Sequence, residues 1–75
     1  MMGFQKEIGE RLRAERIKRN LSREKVAHDN AVSISAIAMY ENGNRMPRDE
    51  VKVRLAKYFE LPIDFFYPNL SHNVT

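Results

Sequence analysis

Seventy-five residues carrying a formal net charge of +3, 43% hydrophobic residues and no cysteine make one small domain. The lack of cysteine excludes disulfide frameworks and thiolate metal sites and fits a reducing cytoplasm, while no apolar run approaches the ~20 residues of a membrane span and no secretion signal is visible. A chain this short buries only about 60% of the surface its unfolded form exposes, so its core is small and a partner subunit would enlarge it.

The first helix is predicted over about residues 4–19. Phe4, Ile8 and Leu12 recur every four residues and, with Ala14 and Ile17, give one apolar face against a charged remainder. Asn20, which tolerates the left-handed conformation, ends it. Arg16 lies close to the apolar stripe, where a solvated charge is awkward.

From Leu21 to Gly43 the sequence reads as two short helices, about 23–30 and 34–42, joined by a tight turn. Ser22 is placed to cap the first, with Glu24 at the positive end of its dipole. Val26 and Ala27 give it an apolar side, and the polar run His28, Asp29, Asn30 lets it fray. Ala31 and Val32 form the turn, Ser33 repeats the cap signal, and Ile37 with Tyr40 supply the second inward stripe. Asn42 and Gly43 stop that helix, because glycine enters the left-handed region at almost no steric cost. Two short capped helices this close in sequence cross steeply, as in a helix-turn-helix.

Pro47 is expected to open a fourth helix over about 48–59, with Asp49 and Glu50 in its first turn. Val51, Leu55 and Phe59, with Val53 and Ala56 on adjoining rows, form its buried stripe, and Lys52, Arg54 and Lys57 face water. Ile63 to Tyr67 reads as a short fifth helix stopped by Pro68, and residues 69–75 as a polar tail beyond a single domain of residues 1–68.

These pieces, IGERLRAERIKRNLS, then VA, VS, ENG and MPRDEVKVRLAKYFELPIDFF, resemble in order and spacing the phage-repressor, Cro-like (Xre-type) helix-turn-helix DNA-binding family over roughly Ile8 to Phe66. The resemblance implies an all-α, compact five-helix bundle of the lambda-repressor-like type. It also implies a salt bridge between Arg16 and Glu41, since the family pairs an arginine with the glutamate of the ENG turn. In that family the last helix divides its hydrophobic residues between the core and a two-fold interface. Phe66 would then pack inward, leaving Phe65 or Tyr67 for a second copy of the chain.

Carried over position by position, the family pattern puts Ser22 and Arg23 at the DNA and turns Ser33, Ile34, Ser35, Ala36, Ala38 and Met39 outward from the reading helix. Asn44, Arg45 and Arg48 form the phosphate-positioning group. Family members often carry Gln, Arg, Asn, Lys or Thr at several reading positions, whereas this chain has small or apolar residues. Between Val26 and Asn44 there is no Lys or Arg at all, only Asp29 and Glu41, while eight Lys or Arg stand against four Glu through Lys25.

Two readings follow. In the first, Ile34, Ala36 or Met39 touch thymine methyls, Ser33 and Ser35 meet phosphates or base edges, and DNA deformability supplies the rest, so that the operator is an A·T-rich inverted repeat. The protein is then a cytoplasmic, homodimeric, sequence-specific regulator of double-stranded DNA, a repressor by the family's habit and of phage or mobile-element type. In the second, the reading helix has drifted and its apolar face meets a separate protein partner, as in an antirepressor or antitoxin-like adapter. Catalysis is not expected: His28 beside Asp29 lacks further ligands at helical spacing, no phosphate loop or nucleophile motif is present, and no metal or cofactor is implied.

Overall fold

The computed structural model describes residues 3–67, and the tail expected at 69–75 lies outside them together with Pro68. Among the described residues there are four α-helices and no strand: α1 (Gly3–Lys18), α2 (Arg23–Asp29), α3 (Ile34–Asn42) and α4 (Asp49–Phe59). The expected fifth helix is instead a single 3₁₀ turn, Ile63–Phe66, closed by Phe65 N–H to the Pro62 carbonyl at 3.0 Å and Tyr67 N–H to the Asp64 carbonyl at 2.9 Å. Five residues between two prolines leave no room for a ladder of i→i−4 bonds, and the residue before a proline is pushed out of the helical region.

The caps follow the sequence closely. Ser22 Oγ accepts from Lys25 N–H and Ser33 Oγ from Ala36 N–H, each at 3.0 Å. All four helices end on a left-handed residue: Asn20, Ala31, Gly43 and Glu60, with φ of 56°, 59°, 77° and 58°. After each, the next N–H reaches back to a carbonyl in the last turn, as in Leu21 to Arg16, Val32 to Ala27, Asn44 to Met39 and Leu61 to Ala56. Only one of the four is a glycine. Arg48 is the N-cap of α4, so Pro47 stands one residue before the cap rather than inside the helix.

Ile8, Leu12, Val26, Ala27, Ala36, Ile37, Tyr40, Val51, Leu55, Ala56, Phe59 and Phe66 make the core. Several expectations about faces are corrected, each by helix phase. At about 100° per residue, Ile17 lies nine positions from Ile8 and so on the opposite side of α1. It is exposed, as are Ala14 and Phe4, and Glu15 takes the buried place. In α4, Lys52 shares a face with Ala56 and Phe59 and is buried, whereas Val53 is exposed. The Lys52 ammonium sits 4.1 Å from the Tyr67 ring centroid, which gives the buried stem a charge-accepting neighbour.

Asn30 does not fray. It is buried, its Nδ2 donates to the Val26 carbonyl at 2.8 Å, and its own carbonyl accepts from Arg54 Nε at 3.0 Å, which ties the end of α2 to α4. Glu15 is surrounded by Arg11, Lys18 and Arg19. Hydrogen bonds from Arg19 first, then Arg11, hold its carboxyl down at about 2 against the opposing effect of burial. Arg19 also donates to the Phe59 carbonyl at 3.0 Å and lies over the Phe59 ring, so the end of α1 is fastened to the end of α4.

Candidate nucleic-acid interface

The unit α2–turn–α3 is held from behind by α1. Gly9 meets the C-terminal end of α3 so closely that a Cβ there would lie 2.3 Å from the Tyr40 carbonyl oxygen and 2.5 Å from that of Glu41. Gly43 also comes close to α1, since its Cβ would stand 2.9 Å from Lys6 Cα. Backbone against backbone leaves the side chains on the other side of α3 directed away from the core.

Beneath this contact lies a buried acid. The Glu41 side chain is 3% exposed, and Arg16 grips it with both prongs, Nε to Oε2 at 2.6 Å and Nη2 to Oε1 at 3.1 Å. The remaining Arg16 nitrogen, Nη1, donates to the Leu21 carbonyl at 2.9 Å, so the whole guanidinium is used within the fold. Arg23 adds a second cation, Nε to Glu41 Oε1 at 3.1 Å, while its side chain stays 41% exposed. One carboxylate therefore joins α1, α2 and α3.

The reading positions divide into two groups. Ser33, Ile34 and Ser35 are exposed at the start of α3, and Ile34, at 48%, is among the most exposed large hydrophobic residues described. Ala38 and Met39 are half-buried one turn further on. Ala36 is not outward: it is buried in the core beside Tyr40, four positions later on the same face, and so does not face a groove. Ser22 is exposed with its oxygen committed to the α2 cap, and its hydroxyl proton is still free to donate.

Asn44, Arg45 and Arg48 are exposed on the segment leaving α3, with Arg48 Nη1 3.7 Å from Glu50. Arg45 and Arg48 line a groove between the start of α3 and α4 together with Ser33 and Arg54. Arg54 is exposed, as its helix position predicts, yet it is also tied down. Its placement depends on the buried Asn30 carbonyl, a partner that no local pattern announces. The cations absent from α3 are thus supplied by neighbouring segments, Arg23 from α2 onto Glu41 and Arg45, Arg48 and Arg54 along the groove that Ser33 lines.

The residues expected at a subunit interface are engaged with their own chain. Phe65 is half-buried, edge-on to Phe66 and under the Arg11 guanidinium, 5.5 Å from its ring centroid. Tyr67 donates its hydroxyl to Asp49, and that bond, more than burial, raises its pKa. His28 is almost fully exposed, 3.5 Å from Asp29, and among the described residues no group of three His, Asp or Glu side chains converges on a metal-sized space. No described helix is long and apolar enough to cross a membrane.

A family model described as a helix-turn-helix domain matches residues 9–68, which takes in α2, α3 and the whole arginine-flanked surface. No curated protein and no solved structure matches the chain.

Proposed function

Since the chain belongs to this helix-turn-helix domain family, a DNA-binding fold, we propose that it is a sequence-specific, Xre-type regulator of double-stranded DNA that represses transcription as a cytoplasmic homodimer on an inverted repeat. The observation that carries this reading is the surface of α3. An exposed, uncharged edge of Ser33, Ile34 and Ser35 opens the helix, Arg45 and Arg48 line the groove beside Ser33, and Arg23 is held on Glu41 near the helix's other end. A helix-turn-helix lays such an edge in the major groove, N-terminal residues on the bases, while neighbouring cations reach the flanking phosphates.

Ile34 and Met39 read thymine methyls, Ser33 and Ser35 give adaptable hydrogen bonds, and the operator is A·T-rich. Two-fold symmetry sets the half-site centres one helical turn, ~10 base pairs, apart. A dimer neutralising on the order of six phosphates loses affinity with a log–log salt slope of about −5.

Selection of bound duplexes from a random library at near-physiological salt tests the proposal. Enrichment of an A·T-rich inverted repeat with one-turn spacing supports it, and binding without enrichment, at low salt only, replaces it with non-specific electrostatic association. The high exposure of Ile34 favours one second reading, in which this edge meets a separate protein; absence of DNA binding at any salt selects it.

A further inference from the structure

Arg16 and Arg23 share one carboxylate but use it differently. Arg16 is 12% exposed and spends all three guanidinium nitrogens on Glu41 and Leu21. Arg23 spends only Nε, and among the described residues its Nη groups make no hydrogen bond. It is the first residue of α2, directly after the exposed Ser22 cap. A guanidinium held through Nε has its outer edge, two coplanar N–H donors, directed away from the holder.

We infer that Glu41 is a positioning residue for DNA binding: buried and oriented by Arg16, it clamps Arg23 through Nε so that the Nη edge of Arg23 stands ready for a backbone phosphate of the duplex. The inference rests on the DNA-binding reading above. α2 is the helix that crosses the phosphate backbone in this architecture, and Arg23 is its first residue. α3 carries no cation, so the carboxylate at its end draws one in from α2. The side chain is ordered before DNA arrives, and the entropy of fixing a long arginine is not lost on binding.

Lysine separates this clamp from simple charge. Its single ammonium can lie on Glu41 or on a phosphate, but it has no second planar edge with which to bridge them. On a duplex that wild type binds, Arg23→Ala should weaken affinity about tenfold, the equivalent of one charge-assisted hydrogen bond, and equally on related sequences. Arg23→Lys should lose more than half of that in log Kd while leaving Tm unchanged within a degree or two. In a Glu41→Gln background, measured where circular dichroism shows it folded, Arg23→Ala should cost clearly less than in wild type. A Glu41 that only supports the fold lowers Tm and leaves this coupling at zero.

Arg23→Lys binding within twofold of wild type overturns the clamp, as does loss confined to one base position, which makes Arg23 a base reader. If Arg23→Ala binds normally while Arg45→Ala binds weakly, the inference fails and the DNA-binding reading survives. Absence of wild-type binding removes both. Should Glu41→Gln not fold, the comparison of Arg23→Lys with Arg23→Ala decides alone.

Discussion

Gly9 and Tyr40 touch through their backbones: the Cβ that Gly9 lacks would stand 2.3 Å from the Tyr40 carbonyl oxygen. Alanine normally stabilises a helix interior over glycine by roughly 0.5–1 kcal/mol. Here the obstacle is backbone and cannot rotate away, so α1 must lift off α3. Gly9→Ala is therefore expected to destabilise by on the order of 2 kcal/mol, as overpacked positions do. A thermal melt in which Gly9→Ala matches or exceeds wild type would refute the close approach.

The two arginines on Glu41 should differ sharply in stability. Arg16→Ala leaves the carboxylate buried with one exposed, single-bonded cation, and removing a partner from a buried pair costs ~3–5 kcal/mol. Arg23→Ala leaves the two-pronged Arg16 grip intact and should cost under about 1 kcal/mol. In a domain of this size each kcal/mol moves Tm by about 4–8 °C. Equal melting temperatures for the two variants would contradict the division of labour.

Left-handed residues offer a gain. Ala31 is exposed at φ 59°, where a Cβ costs roughly 1 kcal/mol and glycine nothing. Ala31→Gly should raise stability by about 0.5–1 kcal/mol, less the extra entropy of the unfolded glycine, and Ala31→Val should lower it. Chemical denaturation of the pair, with unchanged m-values, checks the sign.

Acid should act through Glu15. Its folded pKa, about 2, lies below the ordinary value near 4.5, so the folded state favours the carboxylate. The resulting stability is present above about 4.5 and disappears as pH falls toward 2. Asp29 is lowered too, chiefly by the Tyr58 hydroxyl, and acts in the same direction. Glu15→Gln should melt lower than wild type at neutral pH and show a flatter Tm profile between pH 4.5 and 2. Parallel profiles would remove Glu15 from the acid transition.

On DNA, Arg45→Ala should weaken binding on every sequence and reduce the salt slope by about 1, as a lost phosphate contact does. Ile34→Ala or Met39→Ala should chiefly relax preference at thymine positions. Uniform loss from the latter pair, across matched and mismatched duplexes, would discard methyl readout.

The sequence by itself determined the four α-helices and the caps at Ser22, Ser33 and Gly43, though not the 3₁₀ turn at Ile63–Phe66. Capping chemistry is local: Ser22 and Ser33 bond to an N–H three residues on, and Gly43 takes the left-handed turn that its lack of Cβ permits. The buried faces were also written there, as helix phase, because Glu15 and Lys52 fall on the inward stripes while Ile17 and Val53 fall opposite. Reading hydrophobicity ahead of phase misplaces all four, since the buried charges at 15 and 52 are accommodated by partners from other turns. Arg16 and Glu41 could be linked only through a family resemblance, and the pair lies 25 positions apart in sequence. What tertiary structure alone decided are the meetings of distant backbone and side chains: Gly9 against Tyr40, Asn30 receiving Arg54, and Arg23 sharing the Glu41 carboxylate. Each joins helices whose relative position comes from packing the core, and neither cap signals nor periodicity carry that distance.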